Sequence, residues 1–112
     1  MDSSAVRRKA ENEAIFRDAN EEIEAVRHEL TEIEGKTPFF CECDDPHCRE
    51  TVRLDVAEYE ALRADPATFL ILHGHPHSAA HVVAEHETYV VVEKEGVARR
   101  VAVETDPRRA GG

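Results

Sequence analysis

The sequence predicts an α+β fold, in which a long N-terminal helix packs on a small, mostly antiparallel sheet stapled by a metal site. Residues 5 to 34 contain no Pro or Gly and carry apolar side chains at helical spacing, whereas several short strand-like runs follow after residue 38. All three cysteines lie within residues 41 to 48. Three thiols this close supply most of the ligands of a metal site.

Composition limits the partners and the setting of the protein. The 112 residues suffice for one domain, and 24 acidic against 14 basic residues give a net charge of −10. Such a surface repels phosphate, so we expect no nucleic-acid partner. We expect no membrane partner either, because no apolar run approaches the roughly 20 residues that span a bilayer. The polar N-terminus and the odd number of cysteines favour a cytoplasmic protein with reduced thiols.

The N-terminal helix is expected to end at Gly35, which can serve as a C-terminal cap. Its apolar residues form a heptad-like seam: Phe16, Ala19, Ile23, Val26, Leu30 and Ile33. The seam either covers the domain's own sheet or pairs with another chain, a protein partner or a second copy. A helix of this length is roughly 45 Å long and a compact domain of this size some 30 Å across, so we expect the N-terminal end to project.

The remaining elements alternate between strands and turns. Asp55 is placed to cap a short helix from Val56 to Ala64, with Tyr59 and Leu62 facing inward. A β-hairpin is expected after Thr88, turning at Glu95-Gly96 and returning to Glu104. The predicted strands are Phe39–Cys43, Thr51–Leu54, Phe69–Leu72, Thr88–Lys94 and Val97–Glu104, with a short helix or strand at His81–Ala84. The predicted parts of this single domain are an N-terminal helix (1–35), an α+β unit (36–105) and a flexible tail (106–112).

The cysteine loop, Cys41-x-Cys43-x4-Cys48, predicts a zinc site. Structural zinc takes four tetrahedral ligands, commonly three Cys and one His. We expect His75 to be the fourth ligand because it lies in a turn after a buried strand, with His73 and His77 as alternatives. His47 lies too close to Cys48 in sequence to reach the same ion easily. Arg49 or Arg53 is expected to donate hydrogen bonds to the sulfurs.

Three stretches together resemble a group of small, uncharacterised bacterial proteins. They are a helix with Asn-Glu, Phe-Arg and a second Asn-Glu (residues 12 to 21), the loop Phe40-Cys41-Glu42-Cys43 with Cys48, and the turn Gly74-His75. The run from Tyr89 to Lys94 also fits, so the resemblance covers about residues 11 to 95. It implies that His75 is the preferred histidine. The chain departs from the group's pattern at His73, where Pro is expected, and in having His77 and His81.

Three other likenesses are weaker. The run from Phe69 to His77 is similar to the strand and His-x-His motif of metallo-β-lactamase-fold hydrolases, but it has His77 where those enzymes need Asp. The cysteine loop resembles that of CDGSH-type iron–sulfur proteins, with shorter cysteine spacing and without their Asp-Gly and His. The terminal Gly111-Gly112 is similar to the end of ubiquitin-like carriers, which lack a long leading helix.

The function expected from these features is a non-enzymatic, zinc-stabilised interaction or regulatory module. Four protein ligands leave no open position on the metal for water, which argues against an enzyme. The alternative is a redox or metal sensor that uses the same thiolates, with an iron–sulfur cluster as one form. A zinc hydrolase is the third interpretation.

Overall fold

Helices and strands are interspersed along the chain in the computed structural model, which describes residues 3–29, 36–77 and 79–108. The elements are α1 (Ser3–Glu29), β1 (Thr37–Phe40), β2 (Thr51–Leu54), α2 (Val56–Leu62), β3 (Thr68–Leu72), β4 (Ala80–Glu85), β5 (Tyr89–Lys94) and α3 (Gly96–Glu104). Within these residues, no helix is both long and apolar enough to cross a bilayer.

The strands form two antiparallel sheets. One contains β1 and β2, with Phe39 opposite Val52. The other has the order β3-β5-β4, so β5 is its central strand. The predicted class, α+β with a long N-terminal helix on antiparallel strands, is confirmed. The strands form two sheets, whereas one sheet was expected.

The apolar interior lies between these layers. Strand β3 is buried over most of its length, as predicted for the run at 69–72. One face of the β3-β5-β4 sheet packs against the cysteines and α3, and the other packs against β1, β2 and α2. Tyr59 and Leu62 of α2 are buried as expected, and the Tyr59 ring stacks on Phe39 with centroids 4.4 Å apart.

The buried face of helix α1 overlaps the predicted seam only in part, at Phe16, which is buried. Ile23 contacts the core only partly, and Val26 is 55% exposed, so the seam prediction is wrong for Val26. The predictions for Leu30, Ile33 and Gly35 lie outside the described residues. The buried positions recur at intervals of three or four residues and are largely polar: Ala10, Glu13, Ala14, Phe16, Arg17, Asn20 and Glu24.

Each of the central polar residues on this face has a partner in the core. Glu13 forms an ion pair with Lys94 of β5, and both side chains are at most 1% exposed. Arg17 donates to the carbonyls of Pro66 (2.8 Å) and Ala102 (2.9 Å). Burial of such groups is tolerated only when they are hydrogen-bonded, so α1 is held by polar contacts as much as by apolar ones.

The segment after β5 is a helix, so the predicted second strand of a hairpin is wrong. Residues 97 to 104 contain several Val, which favoured a strand, but the adjacent Arg99 and Arg100 interrupt any alternation. Ala98, Val101 and Ala102 are buried together, and their spacings of three and four are helical.

The N-terminal end of α1 does not project from the rest of the protein. Ala10 is 3% exposed and packs against Ala98 and Val101 of α3, with Val6 beside them. Small side chains let the two helices approach closely, which a search for large apolar residues overlooks. The expectation of a projecting end is therefore wrong for the described part of α1.

The chain after α3 returns to α1 and α2. Asp106 forms an ion pair with Arg63, a side chain that is fully buried. Arg108 contacts Glu21 at 2.8 Å and Glu24 at 2.9 Å. Residues 106 to 108 of the predicted tail therefore contact the rest of the domain, and residues 109 to 112 lie outside the described part of the chain.

Candidate metal centre

Two loops carry the candidate ligands, one from each sheet. Strand β1 ends at Phe40, earlier than predicted, so Cys41, Cys43 and Cys48 all lie in the connection from β1 to β2. His75 lies in the connection from β3 to β4. The loops meet directly, because the backbone N–H of Asp44 donates to the carbonyl of Pro76 at 3.1 Å.

Turn chemistry folds the cysteine loop back on itself. The N–H of Cys48 donates to the carbonyl of Asp45 at 3.1 Å, and the N–H of His47 donates to the Asp45 carboxylate at 2.9 Å. Asp commonly forms such turns by accepting from the backbone two residues ahead. At the base of the loop, the N–H of Cys41 donates to the carbonyl of Glu50 at 2.9 Å. The three sulfurs are thereby gathered on one side.

Gly74 shapes the histidine loop. The N–H of His75 donates to the carbonyl of Leu72 at 3.1 Å, and Gly74 has φ +80°. The third position of a type II turn requires a positive φ, which Gly adopts without steric cost. This turn reverses the chain directly after the buried strand and points His75 at the cysteines.

The ligand atoms of Cys41, Cys43, Cys48 and His75 lie within 4.8 Å of one another. Nδ1 of His75 is 3.6 Å from the Sγ atoms of both Cys41 and Cys48. The three cysteines form no disulfide. The structure thus brings all four predicted site residues together, and the arrangement can hold a metal ion.

No protein-family model, curated protein or solved structure gives a significant match to this chain. The resemblance to a group of small bacterial proteins therefore stays a prediction.

The electrostatics of the loop work against free thiolates. Burial raises the pKa of Cys41 far above its usual range and that of Cys43 to about 11. In the opposite direction, the backbone N–H of Leu72 donates to the Sγ of Cys41 at 3.3 Å, which favours the thiolate. Burial is the larger effect, so ionised cysteines here need a cation for compensation.

The expected arginine contacts to sulfur are absent from the described residues. Arg49 donates instead to the carbonyls of Pro46 at 3.0 Å and Cys48 at 2.8 Å. Arg53 points away, towards the carbonyl of Lys36. The backbone N–H of Leu72 takes the role that was predicted for a guanidinium.

Glu42, between the first two cysteines, is a site residue that sequence reasoning missed. Its carboxylate is fully buried and accepts three hydrogen bonds, from the N–H of Leu70 (2.9 Å), the amide of Asn20 (2.8 Å) and the hydroxyl of Tyr59 (2.7 Å). Burial raises the pKa of Glu42, and the three hydrogen bonds lower it. Glu42 fixes the cysteine loop to β3, α1 and α2 at once.

A signal for this arrangement was present in the sequence. Glu42 lies between two buried cysteines, a position that a solvated surface glutamate would not occupy. Asn20 belongs to the helix motif that accompanies the cysteine loop. Asn20 also accepts from the N–H of Phe40 at 2.6 Å and donates to its carbonyl at 2.8 Å. The motif residues on α1 therefore serve the loop that carries the ligands.

The other histidines near the site are not part of the cluster. His47 is exposed and lies outside the ligand group, which agrees with the expectation that it does not reach the same ion as Cys48. Nε2 of His73 lies 2.6 Å from the carbonyl oxygen of His86, and His77 is half-buried outside the ligand group. Within residues 3–29, 36–77 and 79–108, no second group of three metal-ligand side chains comes together in this way.

Proposed function

We propose that the four residues bind one zinc ion and that the protein is a non-enzymatic, zinc-stabilised interaction or regulatory module. One observation carries the zinc assignment. Zinc–sulfur bonds of about 2.3 Å and zinc–nitrogen bonds of about 2.0–2.1 Å at tetrahedral angles separate sulfur from nitrogen by about 3.5–3.6 Å. His75 Nδ1 lies 3.6 Å from the sulfurs of both Cys41 and Cys48, which agrees with this expected sulfur–nitrogen distance.

The spread of the ligand atoms supports a single ion over an iron–sulfur cluster. All four ligand atoms lie within 4.8 Å of one another, so one ion can contact them all after small side-chain shifts. A two-iron cluster is held by two pairs of ligands, one pair on each iron, and the pairs stand further apart. His75 Nδ1 is equally distant, at 3.6 Å, from the sulfurs of Cys41 and Cys48, so these three ligand atoms do not separate into pairs.

A structural role follows from the closed ligand set. Four protein ligands leave no position on zinc for an activated water, which a hydrolase requires. The ion would join the loop of one sheet to the loop of the other and so connect the two halves of the core. We therefore propose that the metal stabilises the fold and that the protein acts by binding to a partner.

The test is metal analysis of protein purified under reducing conditions. We expect a colourless sample with one zinc per chain, and a cobalt-substituted form with the intense visible bands of tetrahedral thiolate coordination. Cys43→Ser should lose the metal, whereas His47→Ala, which changes an exposed histidine beside the site, should keep it. A brown sample that contains iron, or a chain that binds no metal, would contradict the proposal.

The exposed face of α1 is the surface that we propose for a protein partner. Ile15 and Val26 are 64% and 55% exposed. They are eleven residues apart, which is close to three helical turns, so both lie on the same side of the helix. This side faces away from the buried stripe that begins at Ala10. The net charge of −10 favours a basic partner, and a second copy of the chain is the other occupant to test.

Light scattering over a concentration series would separate these occupants. If the partner is a second copy, the wild type should associate and Ile15→Asp with Val26→Asp should remain monomeric with an unchanged melting temperature. A wild type that is monomeric at all concentrations would exclude self-association. Binding of a basic partner that the double substitution leaves unchanged would exclude the α1 face.

A redox or metal sensor is the second candidate, and one observation favours it. Cys48 is 8% exposed and the side chain of His75 is 25% exposed, whereas Cys41 and Cys43 are almost fully buried. The centre is therefore accessible from one side. Hydrogen peroxide would oxidise two thiolates to a disulfide and be reduced to water, and the zinc would leave. Zinc release by micromolar peroxide that a thiol reductant reverses would support this function; release only with loss of the fold would exclude it.

A further inference from the structure

The two ring nitrogens of His75 face different partners. Nδ1 lies 3.6 Å from two cysteine sulfurs, and Nε2 lies 2.7 Å from a carboxylate oxygen of Glu50. A neutral imidazole that offers Nδ1 to a metal must carry its proton on Nε2. That proton needs an acceptor, and the Glu50 carboxylate is within hydrogen-bond distance of it.

Glu50 is tied to the centre through its backbone as well. Its carbonyl accepts from the N–H of Cys41 at 2.9 Å, while its side chain reaches His75 on the other loop. One residue therefore contacts the first cysteine of the group and the histidine. An ordinary exposed ion pair contributes little, and the Glu50 side chain is 65% exposed. Its placement gains importance only if the histidine is a ligand.

We infer that Glu50 is a positioning residue of the metal centre, which orients His75 and keeps the proton on Nε2 so that Nδ1 can bind the ion. The inference rests on the proposed zinc site. Ligating histidines usually donate their second N–H to a carboxylate or carbonyl, and loss of that acceptor typically costs 10–100-fold in metal affinity.

The effect should appear mainly in the rate of metal release. The His75 side is the accessible side of the centre, because the Cys41 and Cys43 residues are at most 1% exposed. A chelator therefore reaches the ion past His75. Without Glu50 the ring can rotate and detach, which opens this route. The cysteines remain in place, so the metal-free fold should be unaffected.

The experiment measures zinc affinity and release in the full chain by competition with a chromophoric chelator. We compare the wild type with Glu50→Ala and Glu50→Gln, and use Glu85→Gln as a control with the same charge change at an exposed position of β4. Glu50→Ala should bind zinc 10–100-fold more weakly and release it correspondingly faster. Glu50→Gln keeps a hydrogen-bond acceptor without charge, so its zinc affinity should lie between those of the wild type and Glu50→Ala. In nitrogen-15 spectra of the zinc form, the Nε2 proton of His75 should exchange slowly in the wild type and fast in Glu50→Ala.

The outcomes separate this inference from the proposed function. A wild type that binds no zinc would refute the site itself. If the wild type binds zinc and the zinc affinity of Glu50→Ala is within twofold of the wild-type affinity, the role of Glu50 is refuted while the site stands. An equal loss in Glu85→Gln would show a general charge effect and would also overturn the inference. So would equal destabilisation of metal-free and zinc-bound Glu50→Ala, since that indicates a purely structural contact.

Discussion

Replacing His75 by Ala tests how strongly the metal centre couples the two sheets. All three cysteines belong to one loop, so only His75 makes the ion a link between distant parts of the chain. Loss of this side chain leaves the three cysteines in place and removes the cross-link. The substitution therefore isolates the energetic value of joining the two loops.

The magnitude follows from linkage, because zinc binds the folded site and leaves when the chain unfolds. With free zinc about 1,000-fold above the dissociation constant of the site, binding stabilises the folded state by about 4 kcal/mol. For 112 residues the unfolding entropy is about 235 cal/mol/K. A His75→Ala chain that binds no zinc under these conditions should therefore melt about 17 °C lower and lose about 4 kcal/mol of stability. This is a large part of the roughly 5–15 kcal/mol that stabilises a domain.

Thermal and urea unfolding, followed by circular dichroism under reducing conditions with zinc present, would measure this loss. The wild type stripped of metal should melt close to His75→Ala, because both lack the link, and His47→Ala should melt like the wild type with zinc. If zinc-loaded wild type and His75→Ala melt within 3 °C of each other, the ion does not couple the loops. A large gap that persists after chelation would instead assign the loss to packing of the ring.

Three further outcomes are expected. Lys94→Met should lower the free energy of unfolding at pH 8 by about 3–5 kcal/mol, because it leaves the Glu13 carboxyl buried without a cation, and adding Glu13→Leu should restore most of it in urea titrations. Burial raises the pKa of Glu13 to about 7, so the folded state takes up a proton that the unfolded state, with a carboxyl pKa near 4.5, does not. The wild type should therefore gain stability relative to that double variant as the pH falls from 8 to 5, and a constant difference would contradict the assignment. Asn20→Ala should lower the free energy of unfolding by about 2–4 kcal/mol in the same titrations, because the backbone N–H and C=O of Phe40 lose their hydrogen-bond partner. Asn12→Ala on the same helix should lower it far less.

The ligand group was predictable because its signal is local. Three cysteines within eight residues and a histidine after a Gly turn define the chemistry without knowledge of the fold. The buried strand β3 and the capped helix α2 were predictable for the same reason, since apolar runs and capping residues are properties of neighbouring positions. In α2 the carboxylate of Glu58 accepts from the N–H of Asp55 at 2.9 Å, as in a capping box.

What the sequence did not reveal depends on distant partners. The buried face of α1 carries Glu13, Arg17 and Asn20, which are taken for surface residues until their partners are known. Those partners lie from 20 to 88 positions away along the chain. Helix α3 was missed because its burial depends on small alanines packed against another helix. The pattern of apolar residues predicts which apolar side chains are buried. It does not predict which charged side chains are buried in ion pairs.

The two hydrogen bonds between Asn20 and Phe40 bear on the free edge of strand β1. Strand β1 pairs with β2 along one edge, and the opposite edge would otherwise present the N–H and C=O of Phe40 to any passing chain. An open strand edge is a template for fibrils and domain-swapped assemblies. The side-chain amide of Asn20 has the same donor and acceptor as a peptide unit, and it occupies the position of the next strand at this point. At Phe40, a side chain of α1 thus leaves no free backbone group for another chain to pair with.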